Sequence, residues 1–130
     1  MADVPIELIA RLEAATDGSE ELDQDISAVI VGATLDVQPD GRRAWHRDGH
    51  WVSIQPVKPY TTSIDAAVTL VPDVRDWTLT QRLRHPFHGR FTFEATIWPT
   101  KNSEQRPVQG FSFTPDIALC VAALKARADG

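Results

Sequence analysis

The sequence predicts a single α/β (α+β) domain over residues 1–130, arranged as a three-layer sandwich in which a mainly antiparallel sheet carries helices on both faces. The first observation behind this prediction is size, because 130 residues with 42% hydrophobic content suit one packed core. The second is the helical spacing of apolar residues near both ends of the chain. The third is a pair of central stretches in which apolar and polar residues alternate, as they do in strands that bury one face.

A first helix is predicted close to the N-terminus. Asp3 is a candidate N-cap, and Pro5 suits the first turn, where its missing N–H costs nothing. Glu7 and Arg11 stand at the i,i+4 spacing of a helical ion pair. Gly18 is expected to end this helix.

Two further helices are predicted by capping residues followed by apolar periodicity. Ser19 is a candidate N-cap for a helix that we expect to end at Gly32. A shorter helix is expected over Ile64–Val71, with Thr62 or Ser63 as its cap and a proline directly after it. The first two helices therefore form a predicted helical hairpin.

Alternation predicts strands in the second half of the chain. The two clearest are Trp77–Leu83 and Arg90–Trp98. The link between them, residues 85–89, is short enough for a hairpin, so we expect the two strands to pair antiparallel. A further strand is expected at Gly110–Phe113, and a short one at Trp51–Ile54.

The closing helix has the strongest sequence signal. Thr114 is a candidate N-cap, and Pro115 occupies the first helical position. Residues 117–124 are apolar all round, which predicts a helix buried against the sheet or between other elements. The only cysteine, Cys120, lies in this run, and we interpret it as a core residue in a reducing compartment rather than a catalytic thiol.

Charge is unevenly distributed along the chain, whose formal net charge is -5 at pH 7. Residues 1–40 contain ten acidic residues and one basic residue, Arg11. This asymmetry is typical either of a surface that binds a partner or of a solvated pair of acidic helices. The sequence has no secretion signal and no apolar run of the ~20 residues that span a membrane, so we expect a cytoplasmic protein with no membrane partner.

Three segments together resemble one known family. They are residues 6–16 with Glu21-Leu22-Asp23, the central residues 60–72, and the closing residues 114–128. In order and spacing they are similar to the phage α/β/α (ABA) sandwich domain, a family of small proteins from phages and prophages of α-proteobacteria. The resemblance implies a sheet layered between helices, and it implies no activity, since a fold alone does not supply one.

The absence of familiar catalytic motifs and the resemblance favour one function class. We expect a non-enzymatic phage or prophage accessory protein that acts in the host cytoplasm by binding a host or phage protein, with a component of a host defence system as the first candidate. No cofactor is expected. An exposed strand edge also leaves a homodimer open.

Arginines form the main candidate binding site. They lie in two stretches, the first with Arg42, Arg43 and Arg47 and the second with Arg82, Arg84 and Arg90; Trp45, Trp51 and Phe87 are interleaved. Guanidinium groups beside aromatic faces suit phosphates and stacked bases, so the alternative function is a nucleotide or nucleic-acid binding module. A pI of about 5.2 argues against general binding of DNA.

For an anion or a protein partner, the candidate residues are Arg82, Arg84, Arg90, Arg43, Arg47 and Trp45. This site requires the two stretches to meet in the fold. We expect at least Arg82 and Arg90 to converge, because they flank the same predicted hairpin.

An enzyme of unknown class is a third alternative. The chain has four histidines, arranged as His46 with His50 and His85 with His88. No cysteine completes a familiar zinc spacing, so no metal site is predicted. An active site would need Tyr60, Asp65 and these histidines to come together, although helix capping already explains Asp65. No phosphate-binding glycine loop or nucleophile elbow occurs.

Overall fold

A computed structural model of the chain describes residues 4–37, 39, 43–48, 50–53, 57–72, 75–84, 91–99 and 106–129. The described helices and strands are, in chain order, α1 (Ile6–Ala14), α2 (Glu20–Val31), β1 (Thr34–Val37), β2 (Arg43–Arg47), β3 (His50–Ser53), α3 (Ile64–Val68), β4 (Trp77–Arg84), β5 (Phe91–Ile97), β6 (Val108–Ser112) and α4 (Pro115–Asp129). Every described strand pairing is antiparallel, and the α+β fold class is thereby confirmed.

The strands form two sheets, where the sequence predicts one. The first sheet has the order β1-β2-β3 and the second has the order β4-β5-β6. The predicted pairing of the two clearest strands is confirmed, since β4 and β5 are neighbours in the second sheet. Helix α4 contacts this sheet through β5 and β6, and α1 also contacts β6. Helices on both faces of one sheet stay a prediction.

Helix α4 is the centre of the hydrophobic core. It packs against the second sheet and also against α1 and α3. Its residues 117–124 are all completely buried, as the unbroken apolar run predicts. A Cβ atom added to Gly110 in β6 would collide with the backbone of Ala118 and Ala122. The glycine therefore allows the helix backbone to lie directly on the strand.

Hydroxyl side chains start three helices, as the sequence predicts. Ser19, Ser63 and Thr114 each accept a hydrogen bond from the backbone N–H three residues later, at 3.2, 3.3 and 3.2 Å respectively. Of the two candidate caps for α3, Ser63 is thus the one used. Helix α2 ends at Gly32, whose φ of 69° is the left-handed conformation that favours glycine at a C-cap.

Two predicted helix boundaries are wrong. The N-cap of α1 is Pro5, which offers no side-chain hydrogen bond, so the helix starts two residues later than a cap at Asp3 predicts. The predicted cap Asp3 lies outside the described residues. Helix α3 ends at Val68 rather than Val71, because the backbone N–H groups of residues 69–71 each bond to the carbonyl three residues earlier, which tightens the last turn.

The predicted ion pair within α1 is also wrong. Arg11 turns to α2 instead, where its Nη1 lies 2.7 Å from Asp25 Oδ2 and its Nη2 lies 3.4 Å from Glu21 Oε1. The acidic face of α2 offers two carboxylates, whereas Glu7 offers one. This contact joins the two helices of the predicted hairpin across solvent-exposed side chains.

Candidate functional site

The candidate arginines lie on different sheets. Arg43 and Arg47 are the end residues of β2 in the first sheet, whereas Arg82 and Arg84 belong to β4 in the second. Arg42 and Arg90 lie outside the described residues, so the convergence of Arg82 with Arg90 stays a prediction. Arg84 pairs with Phe91, so the end of β4 lies beside the start of β5.

Arg47 is engaged with the end of α2. Its Nε donates a hydrogen bond to the carbonyl of Gly32 and its Nη2 donates one to the carbonyl of Val31, both at 2.8 Å. The C-terminus of a helix carries partial negative charge and unpaired carbonyl groups, so a guanidinium there stabilises the helix. Arg47 therefore acts as a side-chain cap that ties the first sheet to α2.

Trp45 is fully buried, with 0% of its surface exposed. It lies in the centre of β2, opposite Leu35 in β1 and Ser53 in β3. A buried indole cannot stack on a base or a partner at the surface, and its assignment as a binding residue is therefore corrected. Arg47, two residues further along β2, is exposed, and the β2–β3 ladder shifts its register between Trp45 and His46.

An open cavity of about 430 Å³ lies where α2 meets β1 and β2. Its lining consists of Ala28, Val29, Gly32, Ala33, Thr34, His46, Arg47 and Asp48. The volume is within the range of small-ligand sites. The ionisable side chains of the cavity belong to three consecutive residues, His46, Arg47 and Asp48. The guanidinium of Arg47 already donates to the carbonyls at the end of α2.

A buried polar contact holds the loop before α3 against α2. Asp23 Oδ1 accepts hydrogen bonds from the backbone N–H of Thr61 at 2.8 Å and from its hydroxyl at 2.7 Å. The hydroxyl oxygen of Thr61 accepts a third from the backbone N–H of Ser19 at 3.0 Å. A Cβ atom on Gly18 would collide with the Thr61 carbonyl. These buried polar groups are hydrogen-bonded to one another, and we assign them a structural role.

The other polar residues of the core are also used structurally. Tyr60 is buried, and burial is the main cause that raises the pKa of its hydroxyl, although Arg127 and a hydrogen bond with Ser27 oppose the shift. The thiol of Cys120 donates to the carbonyl of Tyr60 at 3.2 Å, and burial raises the pKa of this thiol far above its usual range. The interpretation of Cys120 as a core residue is confirmed.

Asp65 and the two described histidines, His46 and His50, are not among these core residues. Asp65 is exposed in the first turn of α3, and Tyr60 is buried in the preceding turn. His46 and His50 belong to the first sheet, and His85 and His88 lie outside the described residues. Among the residues that the structure describes, no three histidine, cysteine or acidic side chains are grouped so as to hold a metal ion.

The second sheet has one face toward α4 and an opposite face, here called the outer face. The outer face comprises Thr78, Thr80, Thr92, Glu94, Thr96, Gln109 and Phe111, which alternate with the core residues along each strand. Phe111 stands opposite Glu94 and is 41% exposed. Trp98, one residue beyond β5, is 44% exposed. Exposed aromatic rings are enriched at surfaces that bind proteins.

In the centre of this face, Glu94 and Thr96 are each only 8% exposed. Their neighbours on β4 and β6, including Thr80 and Gln109, are exposed. The sheet therefore presents two part-exposed aromatic rings around a nearly dry central carboxylate. Sequence alternation identifies the members of this face, but it does not predict which of them are buried.

Comparison with known proteins found no matching family model, no matching curated protein and no matching solved structure. None of the described helices is both long enough and apolar enough to cross a membrane.

Proposed function

We propose that the protein acts by binding another protein through the outer face of the second sheet, without catalysis. The observation that carries this proposal is the exposure of Phe111 and Trp98 on a sheet whose opposite face is covered by α4. Large aromatic side chains supply most of the energy at protein interfaces when a partner covers them. The threonine hydroxyls between them can exchange water for hydrogen bonds with the partner.

The side chains that could take part in catalysis already make structural hydrogen bonds, which supports a non-enzymatic role. Tyr60, Asp23 and Cys120 hold the core together through hydrogen bonds, and Ser63 caps α3. Arg47, one of the two described arginines of the first candidate stretch, supports α2. The phosphate-binding alternative has weaker support for the same reason, since this guanidinium already has acceptors.

The resemblance to the phage α/β/α sandwich domain supports a host protein as the partner. A phage or prophage protein works in the cytoplasm of its host, where host proteins are its available partners. We therefore propose a folded host protein with an apolar ridge flanked by hydrogen-bonding groups as the partner, and a component of a defence system as the first class to test.

Capture from an α-proteobacterial lysate, followed by reconstitution with the purified captured protein, tests this proposal. Binding is measured by calorimetry for the wild type and for Phe111→Thr and Trp98→Thr, which keep a residue suited to an extended backbone. If these aromatic rings are interface hot spots, each substitution weakens binding by about 30-fold or more. Ile6→Thr is the matched control, because Ile6 is a large apolar residue exposed elsewhere, on α1.

Equal affinities for all four proteins would contradict the assignment of the outer face. Binding of labelled nucleotides or short oligonucleotides, abolished by Arg82→Ala with Arg84→Ala, would contradict protein binding and favour the nucleotide alternative. Conversion of a small molecule by the purified protein would contradict the non-enzymatic role.

A further inference from the structure

Strand β4 is an edge of the second sheet. The hydrogen bonds to β5 show which backbone groups of β4 point away from the sheet. The backbone N–H of Trp98 donates to the carbonyl of Asp76 at 2.9 Å, continuing the β4–β5 ladder by one pair. Hydrogen-bonded pairs alternate in an antiparallel ladder, so Thr78 and Thr80 also direct their backbone groups to β5. The N–H and C=O groups of Trp77, Leu79 and Gln81 consequently point away from the sheet.

The opposite edge, on β6, is protected. Lys125 Nζ donates to the carbonyl of Gln109 at 3.2 Å and lies 3.7 Å from Glu13 Oε2. The hydroxyl of Ser112 also donates to the carbonyl of Leu12 in α1 at 3.4 Å. A lysine and a covering helix are two of the devices by which sheets avoid pairing at an edge.

Within the part of the chain that the structure describes, no comparable contact covers the β4 edge. Asp76, Thr78, Thr80 and Gln81 are all exposed. The strand has eight residues, above the usual length, and offers three consecutive outward-pointing pairs of backbone groups. An edge of this kind is a template for another strand.

We propose that β4 pairs antiparallel with β4 of a second copy of this chain, about a two-fold axis at Leu79. Outward-pointing residues must oppose outward-pointing residues in the new ladder, which restricts the register to steps of two. With Leu79 on the axis, Trp77 opposes the partner's Gln81, and Thr78 opposes the partner's Thr80. Threonine pairs and apolar pairs across strands are favourable.

Charge, together with the regularity of β4 up to Gln81, favours this register among the permitted ones. It places Asp76 opposite the partner's Arg82, and the two-fold axis repeats this pair at the other end of the ladder. The neighbouring register, with Thr80 on the axis, also brings Asp76 opposite an arginine, the partner's Arg84, but that ladder must cross the register shift that β4 has between Gln81 and Arg84. A shift that puts Gln81 on the axis removes Asp76 from the arginine positions of the strand. Opposite charges across strands stabilise a sheet and like charges destabilise it, so the acidic start and basic end of β4 are complementary to themselves.

This inference is independent of the proposed function, because it concerns an edge and a copy of the same chain. Sedimentation equilibrium over a range of protein concentrations measures the dimer. The wild type is expected to dimerise, and Gln81→Pro, which removes an outward N–H from an exposed position, is expected to be monomeric. Circular dichroism of the variant verifies that it remains folded.

A charge exchange supplies a second test that does not depend on proline. Asp76→Arg and Arg82→Asp are each expected to weaken the dimer by at least threefold, and the double variant is expected to restore it. Hydrogen exchange gives a local readout, since the amides of Leu79 and Gln81 should become protected as the concentration rises, while that of Phe111 should not. A monomeric wild type, or a dimer that all three charge variants leave unchanged, would overturn the proposal.

Discussion

The carboxylate of Asp23 and the backbone of Thr61 are bonded to each other in the protein interior, although 38 residues separate them in the sequence. Asp23 is 6% exposed, and its Oδ1 also accepts the hydroxyl of the same threonine. This contact fixes the turn before α3 on the first turn of α2. A carboxylate that a sequence reader would assign to the acidic face of a helix thus acts as an internal connector.

Removing that connector is expected to destabilise the fold. Asp23→Ala leaves the buried N–H of Thr61 without its acceptor and leaves the Thr61 hydroxyl only the carbonyl of Ser19, at 3.2 Å. The expected cost is about 1–3 kcal/mol in the free energy of unfolding. Urea denaturation followed by fluorescence measures it. The control is Asp25→Ala, which removes an exposed ion pair with Arg11 and should cost about 1 kcal/mol or less. Similar losses for both variants would contradict the structural role of Asp23.

The central helix is expected to be the most sensitive to truncation of side chains. Leu119→Ala should lower the free energy of unfolding by about 2–5 kcal/mol, because its side chain is completely buried and leaves a cavity. Ile6→Ala, at an 81% exposed position, is the control and should change little. Thermal unfolding of both variants provides the measurement, and an unchanged midpoint for Leu119→Ala would mean that α4 is peripheral.

Two glycines are expected to differ in their tolerance of alanine. At Gly110 a methyl group meets the backbone of α4, which cannot rotate away as a side chain can, so Gly110→Ala should cost about 1–3 kcal/mol or prevent folding. At Gly32 the nearest atom is the end of the Arg47 side chain at 3.2 Å, and the cost there is the strain of the left-handed backbone, about 1 kcal/mol. Chemical denaturation measures the free energy of unfolding of both variants. A larger loss for Gly32→Ala than for Gly110→Ala would contradict the prediction.

The buried thiol predicts how stability changes at alkaline pH. Burial raises the pKa of Cys120 in the folded state, whereas the unfolded chain releases this proton near pH 8.5. The unfolded state then binds fewer protons, so the contribution of this group to stability is complete below about pH 8.5 and declines as the pH rises above it.

Denaturation at a series of pH values from 7 to 10 measures this decline. Cys120→Ala should flatten the dependence in that range, apart from the contribution of other groups. A thiol reagent should react with the native protein only as fast as the fold opens. Rapid labelling of the native protein, or an identical pH dependence for Cys120→Ala, would contradict the expectation.

Local chemistry is the part of this fold that the sequence predicts well. Ser19 and Thr114 cap helices because a hydroxyl at that position satisfies a nearby N–H, which requires only neighbouring residues. Alternation likewise predicts β4 and β5. The same reasoning recognises the run that becomes the buried α4.

The sequence does not predict contacts between residues that lie far apart in the chain. No strand is predicted at β2, because Arg43, His46 and Arg47 give it a polar composition, and its pairing with β1 is a tertiary contact. For Arg11, local spacing indicated Glu7, while the folded hairpin offers the carboxylates of α2 at closer range. Its position in the sequence groups Trp45 with nearby arginines, but the fold buries it completely.

The location of α4 at the end of the described chain has a consequence for how the protein is made. Helices α1 and α3 and the second sheet share α4 as their common packing partner, yet all of them are synthesised before it. Until residues 115–129 leave the ribosome, their apolar faces have no native surface to cover them. Nascent chains of this protein should therefore depend on chaperones until α4 appears, and a fragment that stops before Pro115 should be a substrate for proteases.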